Sequence, residues 1–202
     1  MTGVQTCALP IFAHSGDAHS SIKSAARVMD VDTLTIPSDN NHRLTGSAVA
    51  SAVDEFHSKN PKKRIFAIVA TAGTTNLGII DDLEGIGRAA NERSIWYHVD
   101  GAYGLAALAS PKTRPLFRGV ERADSLIVDP HKWLFAPFDA CALIYRNPEI
   151  ARAAHTQEAG YLEPLANGEW NPSDYAIQLT RRTRGLPDRK STRLNSSHMS
   201  ES

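Results

Sequence analysis

The sequence predicts an α/β protein with a mostly parallel β-sheet flanked by helices, and three observations carry that expectation. Short runs rich in β-branched and aromatic residues alternate with longer stretches at helical spacing. The helical stretches between most of those runs are about 10–15 residues long, the length of a crossover that returns the chain to a parallel neighbour. Three of the runs end in reactive chemistry: a threonine-rich turn after residue 71, a carboxylate at Asp100, and the turn that carries Lys132. In open sheets, ligands gather beyond the carboxyl ends of the strands.

The elements follow in order. Residues 19–30, HSSIKSAARVMD, have helical spacing, and residues 32–37, DTLTIP, are a short β-prone run closed by Pro37. Thr45 is a capping-type residue and opens a helix over 45–59, after which RIFAIVAT at 64–71 reads as a buried strand. Residues 81–93 form the next helix, with Asp81, Asp82 and Glu84 at its start. Strands are expected at 94–100, 123–129 and 141–146, the last antiparallel because only a short segment separates it from the one before.

Composition narrows the classes of function. A chain of 202 residues suits one domain with a sizeable core. Lys plus Arg and Asp plus Glu are 22 each, which leaves no net field to draw in nucleic acid or an anionic membrane. The apolar runs, IFAIVA at 65–70 among the longest, fall far short of the roughly 20 residues of a membrane helix. Cys7 and Cys141 form no disulfide framework or zinc pattern, so a reducing compartment, the cytoplasm, is expected. His14, His42, His57 and His155 lack metal-ligand spacing and are read as ordinary.

Both ends differ in character from the middle. MTGVQTCALPI at 1–11 and the polar tail at 188–202, which includes STRLNSSHMSES, resemble translated sequencing-adapter read-through. The expectation is a native segment over 12–187 between two non-native ends.

The chemistry lies in DPHKWLFAPF, residues 129–138, where Lys132 runs into Trp133, Leu134, Phe135 and Phe138. A snorkelling lysine is the plain reading. The other is an amine kept neutral and nucleophilic by burial among apolar neighbours. The strand ends favour the second, because an amine and a buried carboxylate together suit pyridoxal phosphate. The amine forms a Schiff base with its aldehyde, and the carboxylate keeps its ring nitrogen protonated. Lys132 is placed for the aldehyde and Asp100 for the nitrogen. The rival reading of Asp100 is a cap or turn residue before Gly101.

DAHSSIKSAA, ATAGTTNLG, HVDGAYG, ADSLIVDPHKWLFAPFDACAL and AGYLEP, in that order, resemble the group II pyridoxal-phosphate-dependent amino-acid decarboxylases. That family includes the aromatic L-amino-acid, glutamate, cysteine-sulfinate and diaminobutyrate decarboxylases, and the likeness covers residues 17–187. It implies the large domain of the fold type I, aminotransferase-like architecture, incomplete here, with pyridoxal 5′-phosphate as cofactor and an L-amino acid as substrate. Lys132 would be the Schiff-base lysine and Asp100 the partner of the pyridine nitrogen. Ala102 would pack under the ring, His19 would stack on its other face, and Thr75 would lie in the cofactor site. His131 would contact phosphate or substrate. Asp129 stands where several relatives have asparagine near the phosphate, and an anion there would be repelled. Tyr161 matches the tyrosine of the family's mobile loop, which protonates Cα after carbon dioxide leaves. A homodimer is implied for the full-length parent.

Each assignment has a plainer rival: His19 as a satisfied residue at a helix start, Thr75 as a maker of turn hydrogen bonds, and Tyr161 as surface packing. Two other functions stay open at this point. An aminotransferase or carbon–carbon lyase would share Lys132 and Asp100, and a truncated domain would bind little cofactor. The resemblance further implies that the phosphate-binding turn and the small domain lie outside this chain, so an exposed edge or half-built core and no turnover by the chain alone are expected.

Overall fold

Side chains along a strand point alternately to the two faces of its sheet, so a strand buried on both sides needs apolar residues at odd and even positions alike. IFAIVAT meets that requirement, and it forms the third strand in sequence and the third in space. The computed structural model describes residues 10–156, 172–176, 178, 180 and 182–183. In chain order the strands and α-helices are β1 (Ile11–Ser15), α1 (Ser20–Met29), β2 (Asp32–Ile36), α2 (Gly46–Lys59), β3 (Ile65–Thr71), α3 (Leu83–Glu92), β4 (Trp96–Asp100), β5 (Ser125–Val128), β6 (Ala142–Tyr145) and α4 (Pro148–His155). They build a six-stranded sheet in the order β2-β1-β3-β4-β5-β6. Every pairing is parallel except β5 with β6. The antiparallel last strand and the parallel remainder are as the sequence predicts.

Among the described strands and α-helices, two went unread in the sequence. β1 starts at Ile11, fully buried, one residue before the expected native boundary. Its first residue falls in the segment set aside as non-native, and it ends on the polar residues His14 and Ser15, so no apolar run marks it. α4, capped by Asn147 and opened by Pro148, was also missed, since eight residues give little more than two turns.

The core lies mainly on one face of the sheet. Ile11, Ala13, Ile68, Ala70, Tyr97 and Val99 pack there against Val49 and Val53 of α2 and Leu83, Ile86 and Ala90 of α3. Leu83, Ile86, Gly87 and Ala90 follow the i, i+3, i+4, i+7 rule, which gives α3 a single buried stripe. α2 and α3 approach closely at paired glycines: a Cβ on Gly46 would sit 2.3 Å from the Gly85 carbonyl carbon. The opposite face carries a smaller cluster of Phe12, Ala26, Ala67 and Val69, joined by Ile22, Val31 and Trp96.

Polar residues fix how the helices enter. Thr45 caps α2 by accepting from Ala48 N, and Asp82 caps α3 by accepting from Gly85 N. Asp82 also accepts from Gly46 N and thereby ties the two helix starts together. Its neighbour Asp81 is buried and uses both carboxylate oxygens, accepting from Leu44 N at 2.8 Å and Thr71 N at 2.7 Å. Burial pushes the Asp81 carboxyl up to about 6, against the pull of those two N–H groups and of Arg43.

Candidate active site

The C-terminal ends of β3, β4 and β5 lie side by side, because the parallel register sets Thr71 opposite Asp100 and Asp100 opposite Ile127. Backbone hydrogen bonds carry the order past the strands. Ala72 N donates to Asp100 O, Gly101 N to Ile127 O, and Asp129 N to Ala102 O at 2.9 Å. The segments after the strands are therefore fixed to one another before any side chain is considered. Gly104 is part of that fit, since a Cβ there would lie 2.1 Å from the Ala72 carbonyl oxygen.

Asp100 ends β4 and is half-buried. Its Oδ1 accepts from Ala102 N at 3.2 Å, the local contact expected of a turn carboxylate. That contact engages one oxygen only. Ala102 supplies its N–H to Asp100 and its carbonyl to Asp129, so it links the carboxylate to the lysine turn.

Lys132 lies in a tight turn after β5. Lys132 N donates to Asp129 O, Phe135 N to Lys132 O, and Ala136 N to Pro130 O. Those bonds turn the aromatic side chains outward: Phe135 is 84 % and Phe138 79 % exposed. The expectation of a lysine desolvated by its apolar neighbours is corrected here. Trp133 and Leu134 are exposed too, Trp133 stacks on Tyr103 at 5.2 Å, and the Lys132 side chain is 38 % exposed. The amine is held instead by Asp129, with Nζ 2.8 Å from Oδ2.

Asp129, whose sequence reading was repulsion from a phosphate, thus has a cationic partner in the same turn. Burial pushes its carboxyl up, but the Lys132 ammonium and the Cys141 thiol outweigh that and hold it below the ordinary value. His131 Nε2 stands 4.0 Å from the same Oδ2, while its Nδ1 pairs with the Ala140 carbonyl.

His19 and Thr75 gather on a separate wall. A cleft of about 410 Å³ is lined by Gly16, Asp17, His19, His42, Thr74 and Thr75, among others, and neither Lys132 nor Asp100 belongs to its lining. His19 is the N-cap of α1, with Nδ1 accepting from Ser21 N at 3.2 Å, so the plain capping reading holds and coexists with a place in the cleft. The turn hydrogen bonds fall to Thr74, which accepts Gly78 N on its carbonyl and Ile79 N on its hydroxyl. Thr75 is exposed and lines the cleft. Tyr161 lies outside the described residues.

Four buried side-chain atoms among the described residues have no hydrogen-bond partner: His14 Nε2, Ser15 Oγ, Thr71 Oγ1 and Asp129 Oδ1. Thr71 and Asp129 sit at the shared strand edge with Asp100. An amine, a carboxylate with one oxygen uncommitted, and two orphaned acceptors or donors at one edge suit a polar ligand with an electrophilic carbon and a basic ring nitrogen. Nothing in residue type or spacing marked Thr71, whose side chain is singled out by its register with Asp100 and its unpartnered hydroxyl.

Comparison with known proteins points the same way. Residues 4–187 match the family described as the pyridoxal-dependent decarboxylase conserved domain. The chain is 34 % identical over 178 residues to an aromatic-L-amino-acid decarboxylase of Bacillus atrophaeus, covering 85 % of this chain and 37 % of that protein. Among solved structures it is similar to Oryza sativa TDC crystallised with PLP and tryptamine, with a TM-score of 0.86 at 26 % identity, over 96 % of this chain and 41 % of that one. It is similar also to mouse CSAD, with a TM-score of 0.82 at 25 % identity, over 92 % and 39 % of the two chains. This chain spans little more than a third of the length of such relatives. With the fold and the family match in agreement, the chain belongs to the pyridoxal-dependent decarboxylase family.

Proposed function

We propose that this chain forms part of the catalytic domain of an amino-acid decarboxylase that uses pyridoxal 5′-phosphate. The observation that carries the reading is the strand edge at which Asp100, Ala102, Asp129 and Lys132 are joined by hydrogen bonds and an ion pair. When bound, the cofactor supplies an electron sink for the pair released as a bond to Cα breaks. The protein residues supply position and protons. Lys132 would hold the cofactor through its Nζ, and Asp100 would keep a proton on the ring nitrogen. Ala102, His19, Thr75 and His131 would complete the pocket that holds it. By family resemblance alone, Tyr161 Oη would give the proton to Cα. The residues that hold the substrate carboxylate would decide by orientation that carbon dioxide is lost.

The matched family favours decarboxylation over transamination or carbon–carbon cleavage. The substrate is an L-amino acid. Its side chain is left open, since the relatives include proteins named for aromatic amino acids and mouse CSAD. No described helix is long and apolar enough to cross a membrane. The exposed strip of Tyr103, Trp133, Leu134, Phe135 and Phe138 supports a second subunit as its cover in the longer protein, hence a homodimer. A cytoplasmic setting and non-native ends beyond the domain complete the reading.

Borohydride reduction of a protein extended to the length of its relatives and loaded with pyridoxal phosphate should fix a pyridoxyl group on Lys132. Recovery of the label on Lys23 or Lys112 would refute the assignment. In a protein extended to the length of its relatives, Asp100→Ala should lower carbon dioxide release by about 10²–10³-fold, the scale for losing one preorganised electrostatic contact. Near-normal release would remove Asp100 from its role.

A further inference from the structure

Beneath Asp100, on the same face of β4, Trp96, His98 and Ser125 form a closed hydrogen-bonded group that the proposed reaction does not use. Trp96 Nε1 donates to Ser125 Oγ at 2.9 Å, and Ser125 Oγ lies 2.8 Å from His98 Nδ1. Ser125 is buried and stands opposite His98 in the β4–β5 register. An indole N–H is only a donor, so it occupies a lone pair of the serine oxygen. The hydroxyl has one proton, and the remaining partner is His98 Nδ1. Donation to Nδ1 satisfies both groups, whereas acceptance from it would leave a buried hydroxyl proton unpaired. His98 then carries its own proton on Nε2.

We infer that His98 is a positioning residue for Asp100, pinned by Trp96 and Ser125 as the neutral Nε2–H tautomer on the face of β4 that bears the carboxylate. Period-two alternation puts residues 96, 98 and 100 on that face. The choice of tautomer has a chemical purpose. A charged imidazolium there would compete with a ring nitrogen for the Asp100 carboxylate, while a neutral imidazole leaves the charge available and contributes only a dipole. Burial lowers the His98 pKa, with the Asp100 charge acting against it, so the neutral form is the one the site selects. Other titratable groups on this face are His14 of β1, where Lys23 of α1 acts, and Tyr145 of β6, which bonds His155 of α4. His14 is two strands away, with Val69 of β3 between it and His98. The inference rests on the proposed pairing of Asp100 with the cofactor's ring nitrogen.

Two measurements test it. Long-range proton–nitrogen spectra of the 202-residue chain, with His98 assigned by its loss in His98→Gln, should show a neutral Nε2–H imidazole at pH 7. Ser125→Ala should abolish that tautomer preference, and Asp100→Asn should move the His98 midpoint downward by several tenths of a pH unit. An Nδ1–H or charged His98, or a midpoint indifferent to Asp100, overturns the inference. Capture by Lys132 is then compared, by borohydride trapping in a protein extended to the length of its relatives, for pyridoxal phosphate and its 1-deaza analogue, which has no ring nitrogen. His98→Asn should lower the ratio of the two several-fold, as Asp100→Ala does, and His98→Gln, whose longer side chain carries its amide N–H to about the reach of Nε2, should restore much of it. If Asp100→Ala lowers the ratio and His98→Asn does not, the positioning role is refuted and the reading of Asp100 stands. If neither lowers it, the reading of Asp100 itself fails.

Discussion

Asp81, in the connection between β3 and α3, and Asp129, in the turn after β5, are both buried carboxylates near the C-terminal end of the sheet, 1 % and 8 % exposed. Asp81 is surrounded by backbone. Its two oxygens take two N–H groups, and burial still raises it to about 6. Asp129 has a single strong partner, the Lys132 ammonium, and one oxygen without any, yet it lies below the ordinary value. Neutral dipoles only partly offset the loss of water around a buried charge, whereas a full opposite charge at contact distance reverses its effect. The first region is architecture, closed by hydrogen bonds within the chain. The second keeps an ion pair half in solvent and a carboxylate oxygen without a hydrogen bond.

The largest test of that contrast is Asp81→Ala. It strands two buried N–H groups and unties Leu44 from β3, so a loss of roughly 2–5 kcal/mol is expected by urea denaturation. A loss below about 1 kcal/mol would show that water replaces the carboxylate there.

The pH dependence comes next. The folded value of about 6 lies above the ordinary 3.8, so the native state holds this proton more tightly than the unfolded chain does. The stability it brings is fully present below about pH 4 and is lost as pH rises through about 6, amounting to about 2–3 kcal/mol. The difference in stability between the native sequence and Asp81→Asn should shift by that amount between pH 4 and 7, with the native sequence losing ground as pH rises. A flat difference would mean that Asp81 stays ionised throughout.

A smaller effect is expected at Lys132. Lys132→Ala removes the partner of Asp129 but, because the amine is 38 % exposed, should cost about 1–2 kcal/mol, less than a fully buried pair would. A cost above about 3 kcal/mol would make the turn architectural like the Asp81 region. The smallest belongs to the exposed aromatics. Phe135, with φ of 56°, occupies the left-handed region where asparagine is more at ease, so Phe135→Asn should change stability by less than about 0.5 kcal/mol. A large loss would show that the strip is covered within the chain.

Much of the architecture was legible along the chain. Helices over 19–30, 45–59 and 81–93 and strands at 32–37, 64–71, 94–100, 123–129 and 141–146 were each found within a few residues of their observed bounds. Period and capping are local properties, and these segments are long or strongly patterned enough to show them. β1 and α4 were not: β1 is cut by the boundary drawn at residue 12 and ends on polar His14 and Ser15, and α4 has only eight residues. At the site, Lys132, Asp100 and Thr75 announced themselves as residues that end or follow strands. The surroundings of Lys132 did not. Apolar neighbours in sequence suggested burial, but the turn after Pro130 points them away from the amine.

By itself the sequence determined the α/β class, the mostly parallel sheet, the strand ends on which the chemistry gathers, and the family resemblance, because each is written in spacing and residue type over short stretches. Only the tertiary structure decided that Lys132 pairs with Asp129, that Thr74 rather than Thr75 closes its turn, that Asp81 joins Leu44 to Thr71, and that Ser125 locks His98. The last two join residues 37 and 27 positions apart in the chain. Such contacts depend on strand register and on which way a turn throws its side chains, and both are settled by packing and hydrogen bonding across the whole sheet.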